Sequence, residues 1–452
     1  MEVIAKSGSH RASDAIDLQV RMPNPRIART ISAMVEPGLS WETRYEAVGL
    51  SGTNKGVMEV SVLPPMNLEQ RLKYLITYPH GCVEQTTSAV FPQLFLHRFV
   101  ELDAKQKSDI QDHVSAGINK LKSFQVSNGG LTYWPGSGSW VSEWGSSYAG
   151  HFMIEAEALG YKLPIGFMSN WLKYQSRMAN SWDRESDRFG YRRSNEINQA
   201  YRLYTLALAK KPALGAMNRM REMKNLPPTA QWTLAGAYLL IGKKEVASKL
   251  VAGLSTTVKS YRELSYTYGS SLRDQAMILE VATLMGDMVT GHKLVEEIAG
   301  KMASNEWYST QTTAYVLLAI GKFIGESDAS GGIEFEYTLN GKKQNKKTTA
   351  PMARMELPFD GEKGGSIVLK NTNGRKLFVN VQLDGIPLDQ QVKDETSDLK
   401  MTVRYLGMDG RPIDPSRVEQ GTDFMAELTI AHPGIRSSYK ELALTQMFPS
   451  GW

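Results

Sequence analysis

Residues 78–86 read Tyr-Pro-His-Gly-Cys-Val-Glu-Gln-Thr and hold the single cysteine of a 452-residue chain. A thiol, Cys82, and a carboxamide, Gln85, stand three positions apart where a glycine-led turn opens into a helix. Side chains at that spacing can meet. Attack of the sulfur on the Gln85 carboxamide, with loss of ammonia, would leave a thioester. A thioester acylates amines and hydroxyls far better than an amide does, because thiolate is a good leaving group. Water must be excluded until the bond is needed, and Tyr78 supplies an aromatic ring close by in sequence. Two other readings use the same residues. A lone cysteine is most often a small buried hydrophobe, and C-x-x-Q alone is a weak pattern. A cysteine nucleophile with His80 or another histidine as base would instead make a hydrolase or acyltransferase. Nearness in sequence does not give a base its orientation.

The rest of the composition narrows the field. Apolar residues make up 42% and charged residues 22% of the chain, the balance of a globular protein with real cores. The length allows two to four domains. A net charge of +5 is too small to suggest a nucleic-acid binder. No stretch approaches ~20 uninterrupted apolar residues, so no transmembrane helix is expected. The first residues, MEVIAKSGSHRASD, lack the apolar segment of a signal peptide. One cysteine excludes an internal disulfide and a cysteine-rich metal site, and no metal or cofactor is expected.

Outward from the motif, the hydrophobic period changes twice. Residues 1 to about 65 read as strands: Ile16, Leu18, Val20 and Met22 alternate with polar residues, as do Met58, Val60 and Val62. Residues 51–56 (SGTNKG) read as a turn, and Pro64-Pro65 ends the region. Asn67 is placed to cap a helix carrying Leu68, Leu72, Leu75 and Ile76. Helical runs then follow to about Phe323, several expected to end at a glycine: Gly160, Gly242, Gly286 and Gly321. Recurrent endings at helix-pair spacing suggest repeated α-hairpins. Runs such as 235–241 are apolar around most of their circumference, which fits an inner ring of buried helices. After Gly332, alternation returns: Ile333, Phe335, Tyr337 and Leu339, then Asn340-Gly341 as a hairpin turn. Asn373-Gly374 reads as another such turn, leading into Leu377, Val379, Val381 and Leu383. Residues 389–398 read as a linker. A last β segment holds Leu399, Met401, Val403 and Tyr405, then Phe424, Ala426, Leu428 and Ile430. The order β, long α, β, partial β is read most economically as one β domain interrupted by a helical insertion.

The run Tyr-Pro-His-Gly-Cys-Val-Glu-Gln-Thr-Thr-Ser, residues 78–88, closely resembles the thioester signature of bacterial α2-macroglobulins, of the thioester-containing α-macroglobulin family, and the likeness implies a C-terminal fragment carrying the thioester domain. Residues 128–136 (NGGLTYWPG) resemble that family's glycine–aromatic loop. Residues 200–208, 307–315 and 447–452 (MFPSGW) resemble further stretches, so the likeness covers essentially the whole chain. It implies an α/α toroid thioester domain inserted into a β-sandwich CUB domain, followed by part of a macroglobulin-like β-sandwich. The corresponding bounds are 1–65 (CUB, first part), 66–328 (thioester domain), 329–395 (CUB, second part) and 396–452 (partial sandwich). It implies Cys82 and Gln85 as thioester partners and Tyr78 as a ring shielding the bond. It implies a single-use, non-catalytic inhibitor that captures attacking proteases through their lysine amines. The N-terminal macroglobulin domains and bait region of such a protein would lie outside this chain, as would an inner-membrane lipid anchor, and the location implied is the periplasm.

One departure from the complement branch of that family carries weight. Members preferring hydroxyls use a catalytic histidine from a loop well downstream of the cysteine. Here no histidine occurs between His151 and His292, and residues 181–195 offer none. His151 is expected to open a helix as a capping or surface residue. The thioester is then expected to react directly with amines. Lys342, Lys343, Lys346 and Lys347 read as a solvated hairpin edge. Trp134, Trp140 and Trp144 are expected to pack between loops and helix ends.

Overall fold

The structure is a computed structural model that describes residues 2–16, 24, 26–66, 78–136, 140–184, 196–263, 266–304, 306–327, 331–361, 363–387, 399–432, 434, 439, 442–446 and 448. The alternation at 18–22, the helix expected after Asn67, the linker at 389–398, residues 185–195 and the motif residues 447 and 449–452 lie outside them. The chain forms two compact units, Met1–Asn24 with Pro387–Trp452, and Pro25–Ile386.

The first unit holds two antiparallel hairpins. One pairs β1 (Glu2–Ser7) with β2 (His10–Ala15). The other pairs β11 (Lys400–Gly407) with β12 (Phe424–Ala431), setting Met401 opposite Ile430 and Val403 opposite Leu428. The β1–β2 hairpin therefore groups with the C-terminal segment and contributes no strand to the sandwich below.

In the second unit two four-stranded antiparallel sheets face each other. One has the order β3 (Ile27–Val35), β10 (Leu377–Gly385), β5 (Lys55–Ser61), β8 (Met352–Glu356). The other runs β4 (Ser40–Tyr45), β9 (Gly365–Asn371), β6 (Ile333–Leu339), β7 (Lys342–Thr348). Val35, Met58, Val60, Phe335, Ile367, Leu369, Val379 and Val381, drawn from both sheets, share one core. β10 lies between β3 and β5, and β9 between β4 and β6, so strands from before and after the helices interleave in both sheets. Both sheets are completed only by strands from the two segments together. Asn340 and Gly341 both have positive φ, as the tight β6–β7 turn requires. The Asn373-Gly374 turn is different. It carries the chain from β9 in one sheet to β10 in the other, with the Asn371 side chain donating to the Val35 and Arg375 carbonyls. It is not a hairpin. β7 is an edge strand, and its lysines face solvent or pair with Glu334 and Glu336.

Between β5 and β6 lie eleven α-helices among the described residues. They are α1 (Val83–Val90), α2 (Ala104–Phe124), α3 (Glu143–Ala158), α4 (Phe167–Ser181), α5 (Glu196–Leu208), α6 (Leu214–Arg221), α7 (Pro228–Leu240), α8 (Lys244–Val251), α9 (Ser271–Met285), α10 (Met288–Met302) and α11 (Thr310–Glu326). Each odd helix packs on the next odd one, and α11 packs back on α1, closing a ring. The even helices lie against this ring. Burial follows that division. Residues 198–207 of α5 and 272–283 of α9 are buried without a break, whereas α10 buries one stripe through Gly291, Leu294, Val295, Ile298 and Met302. Glycines 160, 242 and 286 follow helix ends at positive φ. Gly321 does not end a helix. α11 runs through it, and glycine is needed there for close packing: a Cβ would lie 2.9 Å from Phe95 Cβ and 3.1 Å from the Phe99 ring.

The ring's centre is polar as well as apolar. His151, in the middle of α3 and fully buried, bonds through Nδ1 to the Tyr201 hydroxyl at 2.9 Å. Its Nε2 lies 3.4 Å from Glu155 and 3.5 Å from Glu280. Lys322 sits between the same carboxylates at 2.5 and 2.7 Å. His151 is thus a core residue, not the surface or capping residue expected. The inner helices are buried on every side, so no amphipathic stripe marks its direction.

Candidate functional site

The site begins at Gly81, whose φ of +85° turns the chain into α1. Cys82 is the N-cap of that helix, with extended backbone and 1% exposure. Its sulfur accepts from the Gln85 N–H at 3.5 Å, and Gln85 Oε1 accepts from the Cys82 N–H at 3.3 Å. This is a reciprocal capping box with sulfur where an oxygen normally stands. A thiol is a weak acceptor, so Ser, Thr or Asp would cap better; cap stability does not explain the cysteine. What the box achieves is placement. It folds the Gln85 side chain back over the helix start, beside the sulfur. A Cβ on Gly81 would lie 2.1 Å from Gln85 Oε1, so the pose needs glycine on steric grounds too. Gln85 alone in α1 faces solvent, while its seven companions are buried. The carboxamide is reachable from outside and the sulfur is not.

The buried sulfur has defined neighbours. The Gln85 N–H hydrogen-bonds to it, and the Tyr133 hydroxyl and the Glu84 N–H lie beside it. Burial pushes the thiol above its ordinary pKa, against the opposing pull of those neighbours. Glu84 is buried, and its carboxyl accepts from Ser88 at 2.8 Å and Thr310 at 2.9 Å. Burial raises it, despite these bonds. The Tyr133 carbonyl accepts the Val83 N–H at 3.0 Å, fixing the 128–136 loop to the residue after Cys82. The Tyr133 ring stacks on Tyr268 at 5.7 Å and 18°.

Tyr78, Cys82 and Gln85 are thus brought into one segment, with different exposures. The Tyr78 ring is 55% exposed and lies on His80 at 5.1 Å and against His113 at 6.3 Å. His80 is exposed, and no histidine is among the hydrogen-bond partners of the Cys82 sulfur. Trp144 packs as expected, stacked on Tyr201 beneath the Arg273 guanidinium. Trp134 and Trp140 are 50% and 77% exposed. Tyr133 lay inside a motif already singled out, yet its place beside the sulfur, and that of Tyr268 against Tyr133, join segments far from Cys82 in sequence. A cleft of about 500 Å³ elsewhere is lined by His97, Arg98, Glu101, Lys107, Gly325 and Thr349; neither Cys82 nor Gln85 reaches it. Among the described residues, His151, Glu155 and Glu280 are grouped closely enough to suit a metal, but the Lys322 ammonium already serves as their cation.

The described residues thus combine an interleaved sandwich, an inserted helical ring, and a cysteine–glutamine capping box on the ring's first inner helix. Among known proteins, the chain is similar to bacterial alpha-2-macroglobulins. The chain is 24% identical over 454 residues to alpha-2-macroglobulin of Escherichia coli, covering 96% of this chain and 26% of that protein. It is 22% identical to alpha-2-macroglobulin of Xylella fastidiosa, covering 87% and 24%. No family model matches. The structure has the fold of the C-terminal part of the E. coli protein: a structure of that protein from domain MG7 to the C-terminus aligns with a TM-score of 0.66 at 21% identity, over 95% of this chain and 68% of that one. Salmonella alpha-2-macroglobulin reacted with methylamine aligns with a TM-score of 0.68 at 22% identity, over 94% and 28%. The chain therefore spans about a quarter of the length of the curated relatives it matches.

Proposed function

We propose that this chain is the thioester-bearing part of a protease-trapping inhibitor, and that Cys82 and Gln85 form the bond. The observation that carries the reading is the capping box, which holds a carboxamide against a buried sulfur with a glycine-sized gap to accommodate it. On this reading the helical ring is the α/α toroid of a thioester domain, near 66–328. The sandwich is the CUB domain, near 1–65 and 329–395, to which the first hairpin contributes no strand. Residues 396–452 begin a macroglobulin-like sandwich. Exposure of Gln85 beside a buried sulfur suits attack at the acyl carbon by a lysine amine of a captured protease, and the methylamine-reacted Salmonella relative is in keeping with it. Tyr78, lying over His80, would act as a cover on the approach. The event is single-use: one acyl transfer frees the thiol. Further macroglobulin domains of the same protein, a lipid anchor and a periplasmic location belong to this proposal through the likeness to the relatives.

The alternative, a cysteine-nucleophile hydrolase or acyltransferase, is disfavoured by the thiol's surroundings. Such nucleophiles have a lowered pKa and a partnered base, whereas burial raises Cys82 and its partners are a tyrosine and backbone N–H groups. The test is to mix the intact protein with a protease and resolve the products under denaturing, reducing conditions. A covalent protease adduct, stoichiometric and absent from Cys82→Ala and Gln85→Ala, is expected. Turnover of a substrate without an adduct would overturn the proposal.

A further inference from the structure

We infer that Tyr133, held by Tyr268, is the hydrogen-bond donor that stabilises the Cys82 sulfur as the thioester opens. The inference rests on the thioester reading and adds a catalytic residue to it.

Three observations converge. First, Tyr133 lies against the residues of the motif, its hydroxyl beside the sulfur. Second, its position is fixed from both ends. The Tyr133 carbonyl takes the Val83 N–H, and the loop is tied down by bridges between Gln125 and Leu131 and between Thr132 and Val141. Gly129, at φ +91°, comes so close to α4 that a Cβ would lie 2.1 Å from the Asn170 carbonyl oxygen. Third, Tyr268 reaches the Tyr133 hydroxyl from a strained backbone, with φ of +51°. A bulky residue there costs about 1–2 kcal/mol, and such strain persists only where surrounding structure enforces it. The enforcement is visible: Glu263 N–H donates to Gly269 O at 2.8 Å, and the buried Arg273 donates to Thr267 O at 3.0 Å. Packing alone would not require a tyrosine in that conformation, stacked on another whose hydroxyl meets the only sulfur of a cysteine in the chain.

The chemistry needs such a donor. An amine attacks the Gln85 acyl carbon, a C–N bond forms, and the C–S bond breaks with its electron pair going to sulfur. A buried thiolate is costly, and charge developing there is stabilised by a donor already aimed at it. Tyr133 keeps its own proton. The proton lost by the amine nitrogen ends on sulfur, leaving an amide and the Cys82 thiol. The Tyr133 phenol, held far above its ordinary pKa mainly by burial and then by the sulfur, is suited to donate without ionising.

The test uses Tyr133→Phe and Tyr268→Phe in the intact protein, following thiol release by methylamine and, separately, by water. Both variants should still be lighter than the encoded chain by one ammonia. Tyr133→Phe should slow both reactions roughly 100- to 1,000-fold, and Tyr268→Phe less, on the scale of one donor to developing charge. A residue that merely shields the bond gives the opposite sign, with hydrolysis unchanged or faster, and that result would overturn the inference. Should Tyr133→Phe fail to form the bond, an unchanged rate in Tyr268→Phe overturns it equally. A free thiol in the untreated parent would instead overturn the thioester reading itself.

Discussion

Replacing Gly81 by alanine should separate the bond from the fold. At φ +85° a Cβ is strained, by about 1–2 kcal/mol. It would also sit 2.1 Å from Gln85 Oε1, 2.9 Å from its Cδ and 3.0 Å from its Cβ. Backbone lies on one side of this contact and a solvent-facing side chain on the other, so Gln85 yields. Swinging away, it gives up the bond from the Cys82 N–H, one half of a capping box, for about 1 kcal/mol more. The total, about 2–3 kcal/mol, is small against the core that the helical ring and the helices packed on it share. The unfolding temperature should fall by only a few degrees. Bond formation is hit far harder, since misplacing a reacting atom by about 1 Å can cost about 100-fold. Freshly purified Gly81→Ala should therefore be folded by circular dichroism, carry the full encoded mass and titrate one thiol on denaturation. A Gly81→Ala protein that has lost ammonia and releases its thiol to methylamine at the parent's rate would refute the reasoning.

Three further outcomes follow from the same geometry. Tyr78→Ala should speed spontaneous hydrolysis of the bond, because it uncovers the approach past His80; an unchanged hydrolysis rate would make Tyr78 ordinary packing. Lys322→Met should cost about 3 kcal/mol in chemical denaturation, since it strands Glu155 and Glu280. Burial by itself would raise those carboxyls, but the Lys322 ammonium and then His151 outweigh it and hold both below the usual range. Their stabilisation is present above the unfolded value of about 4.3 and is lost as pH falls below it. The parent should thus lose stability on acidification from about pH 4 downward, and Lys322→Met should flatten that slope. Offered matched amine and glycerol probes, the protein should form mainly amide adducts, because general-base help worth roughly 100- to 10,000-fold is not supplied to a hydroxyl. Dominant ester adducts, read by mass, would show that a histidine such as His80 does act as a base.

Much of this architecture was legible because short-range rules decide it. Met58 and Val60, or Ile333 through Leu339, alternate in sequence as they alternate in the sheets. Asn340-Gly341 turns as its residue types demand. The Cys82–Gln85 pair was legible for the same reason: a capping box spans one turn, so sequence spacing is spatial spacing. What spacing could not carry was anything long-range. Asn373-Gly374 looked like Asn340-Gly341, but which sheet receives β10 is settled by interleaving with β3 and β5. Gly321 looked like a helix end, and only Phe95 and Phe99 across the interface show it to be a contact point. His151 looked like a surface residue because partners that neutralise a buried polar group, Tyr201, Glu280 and Lys322, come from three other helices. Tyr133 comes to the sulfur, and Tyr268 to Tyr133, by the same kind of closure.

The mass of the freshly purified, untreated protein, measured intact and again after methylamine, tests the Cys82–Gln85 bond most directly. The expected result is a chain lighter than its sequence by one ammonia, with no titratable thiol. Methylamine should then add at Gln85 and release one thiol at Cys82. A chain at its full encoded mass, with a thiol at Cys82 that titrates without methylamine, would contradict the thioester and leave Cys82 as a helix cap alone.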